Sequence, residues 1–200
     1  MPTAARLLIM LSGGGRTMLN IVDSIRAGTL RAEVAAVVVS RECPGAQAAR
    51  NLGLPVEVAP GEIPAESLDQ IARRHRADWI VLAGYLRRVH IPPDFAGRVI
   101  NIHPALLPKF GGPGMYGRFV HEAVLNAGET ESGCTVHLCD GEYDRGRIVL
   151  QARCPVLPGD TPETLAARVF EAECRTFPQA LRIVLSETHP PSPADSRNPA

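Results

Sequence analysis

The sequence predicts an α/β fold: a single domain on a doubly wound, mostly parallel sheet, with an antiparallel strand addition in its C-terminal half. Three observations carry this. In the first half, short apolar runs alternate with segments whose apolar residues recur at helical spacing. Those runs are apolar at consecutive positions, as in strands covered on both faces. In the second half, two strand-like runs flank one short acidic turn.

Residues 6–11 read as a buried strand, broken by Ser12-Gly13-Gly14-Gly15. Met18, Leu19, Ile21, Val22, Ile25 and Leu30 then follow at helical spacing. Ala32–Val39 is a Val-rich second strand, residues 46–52 a short helix and residues 55–58 a third strand. Residues 67–75 return to helix, and Trp79–Leu82 and Val99–His103 are the next strands. Residues 111–117 hold four glycines and a proline and are predicted to be a loop. A short helix over 121–126 ends at Ala127-Gly128, and strands are predicted over 134–139 and 147–154. A long helix runs from Pro162 to about residue 185, with Thr161 as N-cap and Pro162 at its first position. The domain is placed at residues 1–188. Residues 189–200 carry four prolines and almost no apolar side chain, and are predicted to be a disordered tail. In a sheet of this kind, ligands bind at the carboxyl ends of the strands.

Composition narrows the class of function. Lys plus Arg equals Asp plus Glu at 21 each, which argues against a nucleic-acid or membrane-surface partner. No apolar run approaches the roughly 18 residues of a membrane span, and the first six residues are too short and polar for a signal peptide. Five cysteines without a C-x-x-C pair argue against a disulfide scaffold or zinc site and for a reducing, cytoplasmic setting.

Three segments can carry chemistry. Between the first strand and first helix, Gly13, Gly14, Gly15, Arg16 and Thr17 place backbone N–H groups, a helix dipole and a cation where an anion binds. The dinucleotide fingerprint fails, because Met18 stands where its third glycine belongs, and the Walker pattern fails for want of a Lys. A tight turn needing glycine is the plain alternative. Asn101 and His103 share one face of a strand that Pro104 ends, so an amide donor and an imidazole lie together near a carboxyl edge. That pair suits a developing oxyanion and a proton to move. The acidic turn Asp140-Gly141-Glu142-Tyr143-Asp144-Arg145-Gly146 fails the EF-hand register at Arg145 and Gln151. Either it is a solvated turn or one of its carboxylates reaches His103, and spacing does not choose which.

These residues resemble a known family. Asn101-Ile102-His103-Pro104-Ala105-Leu106-Leu107-Pro108 is similar to the N-I-H-P-[SA]-L-L-P signature of the formyltransferases that use 10-formyltetrahydrofolate. Gly133-Cys134-Thr135-Val136-His137, then Asp144-Arg145-Gly146 and Gln151, resembles their G-x-[ST]-V-H, D-x-G and Q series. Ser12-Gly13-Gly14-Gly15 and Ala83-Gly84-Tyr85-Leu86-Arg87 resemble segments of the phosphoribosylglycinamide branch.

The resemblance implies a Rossmann-like formyltransferase fold and formyl transfer from 10-formyltetrahydrofolate to glycinamide ribonucleotide, with no metal. It implies that Asn101 holds the formyl oxygen, that His103 is the general acid/base and that Asp144 raises the histidine's basicity, with a protonated His103 facing the oxyanion. It assigns the phosphate to the loop of Gly13, Gly14, Gly15, Arg16 and Thr17, and the ribose to Glu173. It assigns the folate to Leu86, Arg87, Arg88 and Val89, with Asn101 and the turn of Asp140, Gly141, Glu142, Tyr143 and Asp144. It also implies a cis bond before Pro108. Two small-molecule ligands and a monomer or homodimer follow from the same likeness.

The sequence departs from the family at several places. Arg16-Thr17 stands for the usual Ser-Asn, Arg41 for an Asn, Phe170 for a polar residue and Cys174 for a His. Residues 61–66 hold no counterpart of the arginine that some members place on the folate tail. The rival readings are a formyltetrahydrofolate hydrolase, a sugar-nucleotide formyltransferase and a non-catalytic nucleotide- or folate-binding module. A methionyl-tRNA formyltransferase would need a basic C-terminal domain, and the last residues here are neutral.

Overall fold

The computed structural model describes residues 4–188, so the predicted tail at 189–200 lies outside the described residues. Seven strands, β1 (Ala5–Leu11), β2 (Ala32–Val39), β3 (Val56–Val58), β4 (Trp79–Leu82), β5 (Val99–His103), β6 (Glu131–Leu138) and β7 (Ile148–Pro155), form one sheet. Its order is β3-β2-β1-β4-β5-β6-β7. Every pair from β3 to β5 is parallel, and β5–β6 and β6–β7 are antiparallel. The helices are α1 (Arg16–Arg26), α2 (Pro44–Asn51), α3 (Ala65–Arg74), α4 (Arg118–Asn126) and α5 (Pro162–Thr188). The chain winds outward from β1 to β3 and returns at β4 on the other side of β1. That reversal opens a crevice at the carboxyl ends of β1 and β4.

The unbroken apolar runs reflect a sheet covered on both sides. Leu7, Ile9 and Leu11 bury one face of β1 with Met18 and Ile21 of α1 and Phe177 and Leu181 of α5. Leu8 and Met10 bury the other with Leu68, Ile71 and Ala72 of α3. Phe95, on a 3-10 turn at Pro93–Phe95, plugs the second layer.

Four boundaries differ most from the sequence reading. α1 ends at Arg26, so Leu30, read at helical spacing with it, is buried beyond its end, after left-handed Gly28. α4 begins at Arg118, ahead of the expected start at residue 121; a charged side chain opens this extra turn, which buries Val120 and pairs Arg118 with Glu122. β6 begins at Glu131, because its opening Ser132 and Gly133 are buried against β7 and carry no apolar signal. α5 extends to Thr188, past the expected end near residue 185, with Pro178 inside it. Its N-cap is as read: the Thr164 N–H donates to Thr161 Oγ1 at 3.3 Å. Among the described residues, no helix is long and apolar enough to cross a membrane.

Phe177, fully buried between α5 and the sheet, is the packing test. Phe177→Ala is expected to lower unfolding free energy by about 3–5 kcal/mol. Urea denaturation would show it as a lower midpoint at unchanged slope.

Candidate active site

The glycine loop leaves β1 and enters α1. Gly15 has φ +76°, a left-handed conformation that caps α1, and a Cβ there would meet the Cα of Gly45 at 2.8 Å. The Gly45 N–H donates to the Gly13 carbonyl at 3.0 Å, so two backbones touch at this point. Added Cβ atoms at Gly13 and Gly14 would meet nothing within 4 Å, so only Gly15 is sterically required. Buried Ser12 ties this loop to the next one. Its Oγ accepts from the Leu86 N–H at 3.0 Å and from Ser40 Oγ at 2.8 Å.

β5 delivers Asn101 and His103 to the same face, as alternation requires, and antiparallel pairing sets Asn101 opposite His137 and His103 opposite Thr135. Asn101 Nδ2 lies 3.1 Å from His137 Nε2, and His137 Nδ1 lies 3.2 Å from the Leu138 carbonyl. Both nitrogens of His137 are thus engaged, Nδ1 at the Leu138 carbonyl and Nε2 at the Asn101 amide. His103 is buried, and its Nε2 donates to the Phe110 carbonyl at 2.7 Å. His103 Nδ1 faces Asp144 Oδ2 at 3.5 Å, and His137 Nε2 faces Asp144 Oδ1 at 3.5 Å. One carboxylate thus lies between two imidazoles, and it also accepts the Gly112 N–H at 2.9 Å. Phe110 and Asp144 both have φ 56°, left-handed for residues with a Cβ, at about 1–2 kcal/mol each. These two conformations aim the Phe110 carbonyl and the Asp144 carboxylate at His103. The bond between Leu107 and Pro108 is cis, as the resemblance implies.

Thr135 and Gln151 hold the turn that follows β5. Thr135 Oγ1 donates to the Ala105 carbonyl at 2.7 Å and accepts from the Leu107 N–H at 3.0 Å and Gln151 Nε2 at 2.8 Å. Gln151 also donates to the Leu107 carbonyl at 3.0 Å. Gly146 packs its Cα where a Cβ would fall 1.6 Å from the Leu138 carbonyl oxygen, so no other residue fits that close approach.

These elements enclose a chamber of about 370 Å³. Its wall includes Asn101, His103 and Asp144. Arg16, Thr17 and Glu173 stand at the α1 and α5 end, while Leu86, Arg87, Arg88, Val89, Gly141, Glu142 and Tyr143 also line it. Gly13, Gly14 and Gly15 are not part of the wall. Asp140 is not part of it either; its Oδ1 accepts the Glu142 N–H at 3.1 Å and shapes the turn. The structure adds His137, the Phe110 carbonyl, Phe170, Cys139 and buried His121. His137 carries a legible signal, since it shares the Thr135 face of β6; a backbone carbonyl carries none.

Electrostatics pull on the same residues in opposite directions. Burial pushes His103 below its ordinary value, more than the Asp144 carboxylate and the Phe110 carbonyl raise it, and His137 adds to the lowering. Burial works against the Asp144 carboxylate, but His137, the charge of His103 and the Gly112 N–H outweigh it and hold the group below the usual carboxylate range. Burial pushes Glu173 up to about 7, against the pull of Arg16, and pushes the Cys139 thiol up to about 12. Among the described residues, no three His, Cys, Asp or Glu side chains are placed to hold a metal ion.

An open α/β sheet thus brings an Asn, a His and an Asp together at the edge of one chamber. The chain belongs to the formyl transferase family, which it matches over residues 5–181. It is 39% identical over 197 residues to a chloroplastic phosphoribosylglycinamide formyltransferase of Arabidopsis thaliana, covering 93% of this chain and 67% of that one. A similar relative from Vigna unguiculata is covered over 61% of its length, so the chain spans under two thirds of that protein. The human trifunctional purine biosynthetic protein adenosine-3 is 34% identical over 92% of this chain and 19% of its own. Among solved structures, glycinamide ribonucleotide transformylase 1 of Symbiobacterium toebii superposes with a TM-score of 0.86 at 32% identity, covering 94% and 90% of the two chains. A formyltetrahydrofolate deformylase from Pseudomonas syringae shares the fold, with a TM-score of 0.82 at 22% identity over 93% and 63%.

Two measurements test the electrostatics. Asp144→Asn removes the charge that favours the imidazolium, so the His103 pKa followed by NMR is expected to fall further; a rise would contradict the geometry. For Glu173 the folded value of about 7 lies above the ordinary 4.5, so its contribution to stability is present at low pH and lost as pH rises through 7. Glu173→Gln is expected to melt higher than the parent at pH 8, with the gap closing toward pH 4.5. A gap independent of pH would rule this out.

Proposed function

We propose that the chain transfers the formyl group of 10-formyltetrahydrofolate directly to the amine of glycinamide ribonucleotide, giving formylglycinamide ribonucleotide for de novo purine biosynthesis. One observation carries the reading: a single chamber is walled by Arg16, Thr17 and Glu173 at one end, by Leu86, Arg87, Arg88 and Val89 elsewhere, and by Asn101, His103 and Asp144. The names of the relatives support both the acceptor and the pathway.

The acceptor's phosphate lies on the α1 N-terminus, where the N–H groups of Gly15, Arg16 and Thr17 and the helix dipole favour an anion. Open space over Gly13 and Gly14 leaves room for it to approach. Glu173 takes the ribose hydroxyls. The folate, a co-substrate, lies against Leu86, Arg87, Arg88 and Val89 and the turn of Gly141, Glu142, Tyr143 and Asp144, with Asp140 shaping that turn.

The amine attacks the formyl carbon and an oxyanion forms. The second hydrogen of Asn101 Nδ2, the one His137 does not take, donates to it. Such a donor is worth about 3 kcal/mol. Neutral His103, once its Nε2 turns from the Phe110 carbonyl to the substrate and its single proton moves to Nδ1 beside Asp144, takes at Nε2 the proton that the attacking nitrogen sheds and returns it to N10. During the interval it is an imidazolium, stabilised by Asp144 and itself stabilising the oxyanion. A thioester route finds no support: Cys139 lines the chamber, but a thiol pushed up to about 12 supplies almost no thiolate at neutral pH. No metal enters the scheme.

Residues 1–188 act as one formyltransferase domain, as a monomer or homodimer, with small-molecule ligands alone and no nucleic-acid or membrane partner. Five free thiols support a reducing, cytoplasmic setting.

The test is deformylation of 10-formyltetrahydrofolate with and without glycinamide ribonucleotide. Turnover is expected only with the ribonucleotide. His103→Ala and Asp144→Asn are each expected to lower it on the order of 100-fold or more, with much smaller changes in ligand affinity. Turnover without an acceptor would identify a hydrolase. Turnover with a sugar nucleotide alone would identify that transferase, and folate binding without turnover a binding module.

A further inference from the structure

Arg16 is the first residue of α1, directly after left-handed Gly15, and its guanidinium carbon lies 3.7 Å from the centroid of the Phe170 ring on α5. Two arginines near this end of the chamber are paired with carboxylates, Arg118 with Glu122 and Glu163, and Arg168 with Asp160. Arg16, exposed at the start of α1, is not. Its one recorded interaction of this kind is with an aromatic face, and no described residue takes a hydrogen bond or ion pair from it. Stacking occupies the face of the guanidinium and leaves its five N–H donors pointing outward in plane. Those donors sit at the rim of a helix N-terminus in a chamber wall that also holds Glu173, one turn beyond Phe170. Glu173 does not neutralise the cation by contact, and its carboxyl, pushed up to about 7, remains well above the range of an ion-paired glutamate.

We propose that Phe170 holds the Arg16 guanidinium flat and edge-on to the α1 N-terminus, so that Arg16 grips the acceptor's phosphomonoester through two parallel N–H donors. This rests on the reading of the acceptor as a ribonucleotide. A phosphomonoester offers two oxygens in one plane to match that fork, which neither a hydroxyl nor a single carbonyl does. Arg16 and Phe170 lie more than 150 residues apart in the sequence, and the packing of α5 beside α1 brings them into contact. Phe170 is thus a positioning residue for the acceptor end, and the pair favours a phosphorylated acceptor over its dephosphorylated form.

The test uses the full chain, with the KM for glycinamide ribonucleotide and calorimetric binding of ribose 5-phosphate as readouts and thermal melting to confirm folding. Arg16→Ala is expected to weaken both about tenfold or more. Arg16→Lys recovers only part, since an ammonium neither stacks flat nor forks. Phe170→Leu is expected to weaken both on the order of three- to tenfold, and Phe170→Tyr to restore them. The losses should fall on acceptor KM, with kcat and folate KM little moved, and Arg16→Ala with Phe170→Leu should be no worse than Arg16→Ala alone. Unchanged ribose 5-phosphate affinity in either Arg16→Ala or Phe170→Leu would overturn the proposal, as would losses that add in the double variant. Failure of the underlying reading looks different: the parent protein would show no turnover with the ribonucleotide, whatever the pair does to ribose 5-phosphate.

Discussion

The antiparallel register between β5 and β6 is the constraint on which the site depends. It sets Asn101 against His137 and His103 against Thr135, and the next pairing sets Thr135 against Gln151. All of these polar groups then share one face of the sheet, while Ile100, Ile102 and Val136 share the other. A slip by one residue would send the imidazole and the amide into the core and the isoleucines into the chamber. The register is secured by the hydroxyl of Thr135, which uses its donor and its acceptor sites on Ala105, Leu107 and Gln151. The turn after β5 is therefore stitched to the strands beside it, and Phe110 is placed above His103 as a result.

Once that geometry is in place, burial and charge compete over a single proton. Two imidazoles flank the Asp144 carboxylate at 3.5 Å, too long for either to be a tight pair. The carboxylate therefore acts across space, and burial outweighs it in pushing His103 below its ordinary value. An imidazole that burial pulls toward its neutral form, beside a carboxylate that pulls it toward the charged one, stands between two opposing influences.

How much of this is legible in the sequence depends on where each signal resides. Strands Ala32–Val39, Trp79–Leu82 and Val99–His103 can be read to the residue, the first two from nearly continuous apolar side chains and the third from the alternation of its isoleucines with Asn101 and His103. The start of β6 cannot, since Ser132 and Gly133 are in the sheet for the closeness of their backbone to β7 and not for their side chains. Asn101 and His103 are legible from alternation alone. Asp144 stands out from the acidic turn only through family resemblance, because its approach to His103 depends on a left-handed backbone at residue 144. The charge of His103 is hidden for a related reason: packing density around an imidazole is a property of the whole fold. Phe110 acts through a carbonyl, which every residue possesses, so no side-chain pattern singles it out.

The long α5 helix has a consequence for the order in which the protein is made. Phe170 and Glu173 come from α5, while Arg16 and Thr17 come from α1. On a ribosome, the parallel strands and α1 emerge long before α5, so the core that Met18 and Ile21 of α1 share with Phe177 and Leu181 is completed only when α5 arrives. These distant segments of the chain meet late, across a large loop to be closed. The nascent protein thus holds its aspartate, histidine and asparagine in a half-built vessel, and the wall that would confer selectivity arrives only once α5 has emerged.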